Sequence, residues 1–180
     1  MSRDENPKPR DPATPCQPLK RVRYSSGQLL SKDDLVAEQE YFLEKIRRHY
    51  RFLHRPGVIT GLEVTLQPAG IRVEPGLALD PGGNEICVPL AQMAPLPLPC
   101  PEVFVVLYYA ETATDPIPAL CDSEPAEQVF SRIQESFALA YDPPAGNQPS
   151  DAASGVRLAR LTNVRGKWSV DQRFRRARAR

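Results

Sequence analysis

The sequence has no run of about 18 consecutive apolar residues, which excludes a membrane-spanning helix. Its first fifteen residues, MSRDENPKPRDPATP, hold no apolar stretch. That is not a classical secretory signal peptide, and it gives the expectation of a chain made and kept in the cytoplasm, or leaving by a route the sequence does not encode. Charge of one sign is missing too: 23 Lys and Arg stand against 22 Asp and Glu, a formal net charge of +1. Dedicated nucleic-acid-binding domains are usually strongly basic, so near-neutrality argues against one. There are only 2 histidines, His49 and His54. Five apart on a helix, they point about 140° from one another and do not form the i,i+4 pair of a helical metal site. The 4 cysteines, Cys16, Cys87, Cys100 and Cys121, contain no C-x-x-C pair and match no common zinc spacing. Free thiols in a reducing compartment are expected, with a composite metal site or a disulfide as the alternative. No G-x-S-x-G, no P-loop and no G-x-G-x-x-G opening a helix is present, so no cofactor and no enzymatic activity is expected.

Proline, by contrast, is plentiful at 20 of 180 residues, roughly double the usual 5%. Residues 1–20 are proline-rich, charged and poor in large apolar groups. Such a segment cannot bury enough surface to offset its ordering entropy, and a disordered arm is expected. Ser31 then opens a helix: Ser31-Lys32-Asp33-Asp34 is a capping-box-like start with an acid at the third position, and both aspartates favour the positive end of the helix dipole. Leu35, Phe42, Leu43, Ile46, His49, Tyr50 and Leu53 share one stripe. Glu40, Glu44, Arg47, Arg48 and Arg51 lie opposite, with Glu44 and Arg48 at i,i+4. Pro56 disfavours helical dihedrals at Arg55 and ends the helix near His54.

Beyond Pro56 the period changes from 3.6 to 2. Val58-Ile59, then Leu62, Val64 and Leu66, then Ile71 and Val73, then Leu77 and Leu79, then Ile86 and Val88 read as short strands. Asp80-Pro81-Gly82-Gly83-Asn84 is a strong turn signal. Residues 103–110 (VFVVLYYA) are the most apolar strand candidate and are expected to be central. Residues 111–125 read as a polar loop, residues 129–133 and 135–141 as two strands or one bent strand, and residues 156–161 and 168–170 as a closing hairpin. The helix stripe is expected to cover one face of the strands. The basic ending 173–180, with five arginines, reads as a solvated tail, with an acidic neighbour as its second use.

Tyr41 and Phe52 lie together on a flank of the helix, away from the main stripe. One account is ordinary core wrapping; the other is a face that meets a partner, since aromatic residues are enriched in interface cores. His49, on the apolar stripe, is expected to be partly buried. His54, at the helix end, is placed to meet free carbonyls.

The block 23–88 resembles a family of small proteins associated with phage-tail-like contractile injection particles, at the baseplate or at fibre attachments. Members open with an aromatic and Gly-Gln before an apolar pair, matched by Tyr24 and Gly27-Gln28-Leu29-Leu30. An acidic pair and an E-Q-x-Y helix follow, matched by Asp33-Asp34 and Glu38-Gln39-Glu40-Tyr41. A run like H-N-R-x-L-H-G-x-G-V-V-x-G-L-x-V is matched by His49-Tyr50-Arg51-Phe52-Leu53-His54 and Gly57-Val58-Ile59-Thr60-Gly61-Leu62-Glu63-Val64. A P-G-x-A-x-D-x-x-G-x-x-I segment is matched at Pro75, Gly76, Ala78, Asp80, Gly83 and Ile86. Further on, Ser131-Arg132-Ile133-Gln134-Glu135-Ser136-Phe137 and Val156-Arg157-Leu158-Ala159-Arg160-Leu161 resemble later strands of the family. Tyr50 departs from the pattern, and Arg55-Pro56 stands where the family has glycine and an aromatic. The helix must therefore stop by proline rather than by a left-handed glycine.

These readings give an α+β expectation: one long N-terminal amphipathic helix packed on a small, mostly antiparallel β meander or barrel-like sheet, with disordered termini. The expected division is a Pro-rich arm (1–20), one domain (21–172) and a basic tail (173–180). The resemblance implies a non-catalytic structural or adaptor component of a tail-like particle. Its partners would be protein subunits of that particle, met through Tyr41, Arg51, Phe52, His54 and Arg55, with no membrane, metal or small-molecule substrate; a nucleic-acid contact through the arginines of 173–180 ranks third. Assembly would be cytoplasmic, with a released or virion-like particle as the destination. The alternative is a free-standing cytoplasmic protein that binds a small ligand or metal through Cys87 and the histidines.

Overall fold

The computed structural model of the chain describes residues 18–117, 129–144 and 155–180. The arm at 1–20 lies almost entirely outside these, as do Cys16 and Cys121. The chain divides into two compact units, Met1–Lys45 and Ile46–Arg180. Among the described residues there is one helix, α1 (Lys32–Leu53), and it runs through the division.

The helix start follows the sequence closely. Ser31 Oγ accepts the Asp34 amide at 3.2 Å, and Asp34 Oδ2 accepts the Ser31 amide at 2.9 Å. This is a reciprocal capping box built with Asp in place of Glu or Gln. The bond from the Ser31 amide, and then that from its hydroxyl, hold the Asp34 carboxyl below the usual carboxylate range.

The described residues of the second unit form ten strands. β1 (Gly57–Gly61), β4 (Gly76–Leu79) and β5 (Glu85–Val88) form one sheet in the order β1-β4-β5. β2 (Val64–Gln67), β3 (Gly70–Val73) and β6 (Gln92–Ala94) form a second, β2-β3-β6. β7 (Glu102–Ile117), β8 (Val129–Asp142), β9 (Val156–Val164) and β10 (Lys167–Val170) form the third, β10-β9-β7-β8. Every pairing between these strands is antiparallel. The turn between β4 and β5 is closed by Asp80, whose carboxylate accepts both the backbone and the side-chain amide of Asn84 at 2.8 Å. β7 is central, as its unbroken apolar run implied: Val103, Val105, Val106 and Leu107 are buried between β8 and β9.

Among the described residues, the core is made by the strands and the corner between them. Val58, Ala78, Ile86 and Val88 from the first sheet, Ile71 and Val73 from the second, and Val103, Val105, Leu107, Leu158 and Leu161 from the third form one cluster with Leu62. Each sheet closes the apolar face of another. The expectation that the helix stripe is buried is therefore corrected: no residue of α1 is buried. Leu35, Phe42, Ile46 and Leu53 are each more than half exposed. His49, expected to be partly buried, is exposed as well. The end of the helix meets the strands through Arg47, whose backbone lies so close to Gly83 of the β4–β5 turn that a Cβ there would collide with it. Arg47 reaches Glu111 of β7 at 3.3 Å and lies over the Tyr109 ring, 5.8 Å from its centre.

Two further expectations change and one alternative is decided. Residues 111–117 continue β7 rather than forming a loop; β9 stops pairing at Leu107, and beyond it β7 is an edge, where Pro116 removes no needed ladder donor. Of the two readings of residues 129–141, the single strand is the one found, over residues 129–142. The basic tail, though largely exposed, is not a free tail, because it pairs with β1: the Val58 amide donates to the Ala177 carbonyl at 2.9 Å and the Ala179 amide donates to the Val58 carbonyl at 3.1 Å.

Two tyrosines of β7 give a measurable consequence. Desolvation, then a hydrogen bond to Asp142, pushes the Tyr108 phenol up to about 12. Desolvation and a bond to Glu111 push Tyr109 higher still. A phenol raised on folding supports the fold fully below its unfolded value near 10 and loses that contribution as pH rises through the folded value. Burial raises the Tyr141 phenol as well, so ultraviolet titration should show these three tyrosines ionising late, with stability falling from about pH 10 upward. All 6 tyrosines titrating together in the folded chain would contradict these environments.

Candidate interaction surface

Tyr41 belongs to the unit that ends at Lys45. Its ring meets Phe42 edge-on at 5.3 Å, and Lys45, one turn on, donates to its hydroxyl at 3.2 Å. Both contacts lie within the helix, so Tyr41 is not packed into a core. Together with Phe42 and Glu38 it lines a shallow cleft of about 420 Å³ whose other wall is Arg21, Val22, Arg23 and Tyr24. The sequence pattern places Tyr24 and Tyr41 in one block; it does not place them on one cleft.

Arg51, Phe52, His54 and Arg55 belong to the second unit. Phe52 is 68% exposed, which removes core wrapping as the account of that ring. Arg51 is exposed on the same turn. His54 and Arg55 are brought together by one acceptor: the Arg180 carbonyl lies 3.2 Å from His54 Nδ1 and 3.1 Å from the Arg55 amide. A carbonyl only accepts, so Nδ1 carries the proton in this contact. The His54 ring therefore meets a carbonyl of the tail rather than those of its own helix. The rings of His49, Tyr50 and His54 lie within 5.9 Å of each other. Helix, β1 and tail thus meet at one corner.

Arg176 is the functional candidate that sequence reasoning missed, since in sequence it is one charge among several in a basic tail. Its guanidinium donates to the carbonyls of Gly61 at 2.8 Å and Leu62 at 2.9 Å, and to the Glu63 carboxylate at 2.7 Å. Among the described residues, no three of His, Cys, Asp and Glu gather in a way that could hold a metal ion, so Cys87 and the two histidines do not form such a group. Nor is any described helix long and apolar enough to cross a membrane.

No protein-family model matches this chain, and no curated protein does. Solved structures match across most of it. A chain of "the baseplate complex from the type VI secretion system" aligns with 89% of this chain at a TM-score of 0.56 and 16% identity. A chain of the type VI secretion TssK-TssF-TssG baseplate subcomplex aligns with 88% at a TM-score of 0.53 and 14% identity. The crystal structure of TssK aligns with 86% at a TM-score of 0.51 and 16% identity. The fold is similar to that of type VI secretion baseplate chains. At these identities the likeness is one of fold. The chain spans 60% and 62% of the first two matched chains and 43% of the third.

Proposed function

We propose that the chain is a non-catalytic structural or adaptor component of a phage-tail-like contractile injection particle, docked on neighbouring baseplate or fibre proteins. The observation that carries this reading is the fold likeness to baseplate chains over nearly nine-tenths of the sequence. The motif block 23–88 points the same way. In this reading the chain assembles in the cytoplasm and joins a released or virion-like particle. Tyr41, Arg51, Phe52, His54 and Arg55 supply contacts to neighbouring subunits. Exposure favours this use of Phe52, because an exposed aromatic loses little by covering and is a common interface anchor.

The double substitution Tyr41→Ala with Phe52→Ala tests the contact residues. Neither ring is buried, so the change in fold stability should stay within about 1 kcal/mol. Loss of two aromatic anchors should weaken association about 30-fold or more, an effect of about 2 kcal/mol. Co-sedimentation with assembled particles reads the second quantity and thermal denaturation the first. Undiminished co-sedimentation of the folded double variant would remove these rings from the interface.

A further inference from the structure

Residues 172–180 run along the open side of β1, the edge strand of its sheet. The reciprocal bonds between Val58 and residues Ala177 and Ala179 make a parallel bridge of Val58 with Arg178. Gly57 leaves the space for it: a Cβ there would stand 2.6 Å from the Ala177 carbonyl oxygen. Upstream, the Phe174 ring lies 5.7 Å from Phe104, over which Arg157 also lies. Between these anchors, Arg176 fills a ready acceptor set of two backbone carbonyls and one carboxylate. That set suits a planar guanidinium fork and no other side chain as well. An edge strand supplying main-chain bonds, next to a pocket that reads one side chain, is the arrangement by which sheets take up foreign strands.

None of residues 172–180 is buried. The segment is held by directional polar contacts and one ring, so its release need not open the core. Its pivot, Asp171, stays fixed by the Arg160 guanidinium and by donating its amide to the Arg160 carbonyl at 2.8 Å. Nine extended residues reach about 30 Å from such a pivot.

We propose that the β1 edge with the Gly61–Glu63 corner is a receptor for an arginine-bearing extended segment, and that residues 172–180 of a second copy can replace the chain's own. The exchanged contacts are identical, which makes such a swap cheap once two copies are close. This exchange does not depend on the chain belonging to a particle.

The test uses the full-length Arg176→Ala chain and a fluorescently labelled synthetic peptide of residues 171–180, followed by anisotropy. The variant should bind the peptide saturably and at least about tenfold more tightly than the unaltered chain, whose own segment competes. A peptide with alanine at the Arg176 position should lose at least about tenfold. No binding to the variant, or equal binding of the alanine peptide through unspecific charge, overturns the proposal. Hydrogen exchange on the unaltered chain gives a second reading. The Val58 and Ala179 amides should exchange together and well before those of Ile71 and Leu107. Exchange of all four only in one global event would show that the segment cannot leave a folded chain, and would overturn the proposal equally.

Discussion

Gly61→Ala should destabilise the second unit by at least about 3 kcal/mol, a large part of the total stability of an ordinary domain. Two costs add. Gly61 has φ +62°, a conformation that costs a side-chain-bearing residue about 1–2 kcal/mol. The new Cβ would also collide with the Pro75 carbonyl oxygen and stand 2.9 Å from Gly76 Cα. That carbonyl cannot retreat freely, because it accepts the Leu62 amide at 3.2 Å. Leu62 itself sits at φ +61° with its side chain fully buried, so the left-handed corner and the core are locked to each other. Gly166→Ala, in the same unit, is the matched control: Gly166 has φ +81°, but a Cβ added there would meet nothing within 4 Å, so only the strain of about 1 kcal/mol remains. Urea unfolding of both variants separates strain from collision. Equal, small losses would mean that the Gly61–Pro75 approach is not rigid.

Arg176→Ala should cost about 2 kcal/mol, because it leaves the Gly61 and Leu62 carbonyls without their charged donor and removes the partner of Glu63. For a chain of this size that is a drop in Tm of roughly 4–8 °C. Arg176→Lys should recover only part of the loss, since one ammonium cannot reach three acceptors in a plane as the fork does. The same contact has a pH signature. The hydrogen bond from Arg176 is the main cause that lowers the Glu63 carboxyl below its ordinary value. A carboxylate depressed on folding contributes stability above its unfolded pKa and loses it as pH falls through the folded value. The difference between the unaltered chain and Arg176→Ala should thus be full at neutral pH and shrink below about pH 4.5. Because Glu63 is more than half exposed, the carboxylate's share is small and the two carbonyls carry most of the effect. A Tm unchanged by Arg176→Ala would mean that the tail does not hold the corner.

Local signals in the sequence are legible where the structure is local. The Ser31–Asp34 cap, the Asp80–Asn84 turn and the alternation of Ile71 with Val73 or Ile86 with Val88 each depend on residues a few positions apart, and each appears as expected. What is illegible depends on distant partners. A period of 3.6 shows that α1 has an apolar stripe but not that no residue of it is buried, nor that three sheets bury one another. Residues 111–117 look like a loop because proline and aspartate are poor strand formers, yet β8 pairs with β7 as far as Ile117. Gln92–Ala94 is too short to show alternation and exists as a strand only because β3 pairs with it. Arg176 is hidden most deeply. Its acceptors lie more than 110 positions away, at a corner whose two left-handed residues no propensity announces. For the contact surface, the sequence points to Tyr41 and Phe52 through their place off the stripe. The exposure of Phe52 and the cleft beside Tyr41 are what the structure adds.

Membership of a tail-like particle is tested most directly by sedimentation of a native lysate carrying a tagged copy of the unaltered chain and an assembled particle, with mass spectrometry of the fractions. The chain is expected in the megadalton fraction together with sheath, tube and baseplate proteins. The chain running alone near its own mass of 20.1 kDa, beside an intact particle in the same lysate, would contradict the proposed role.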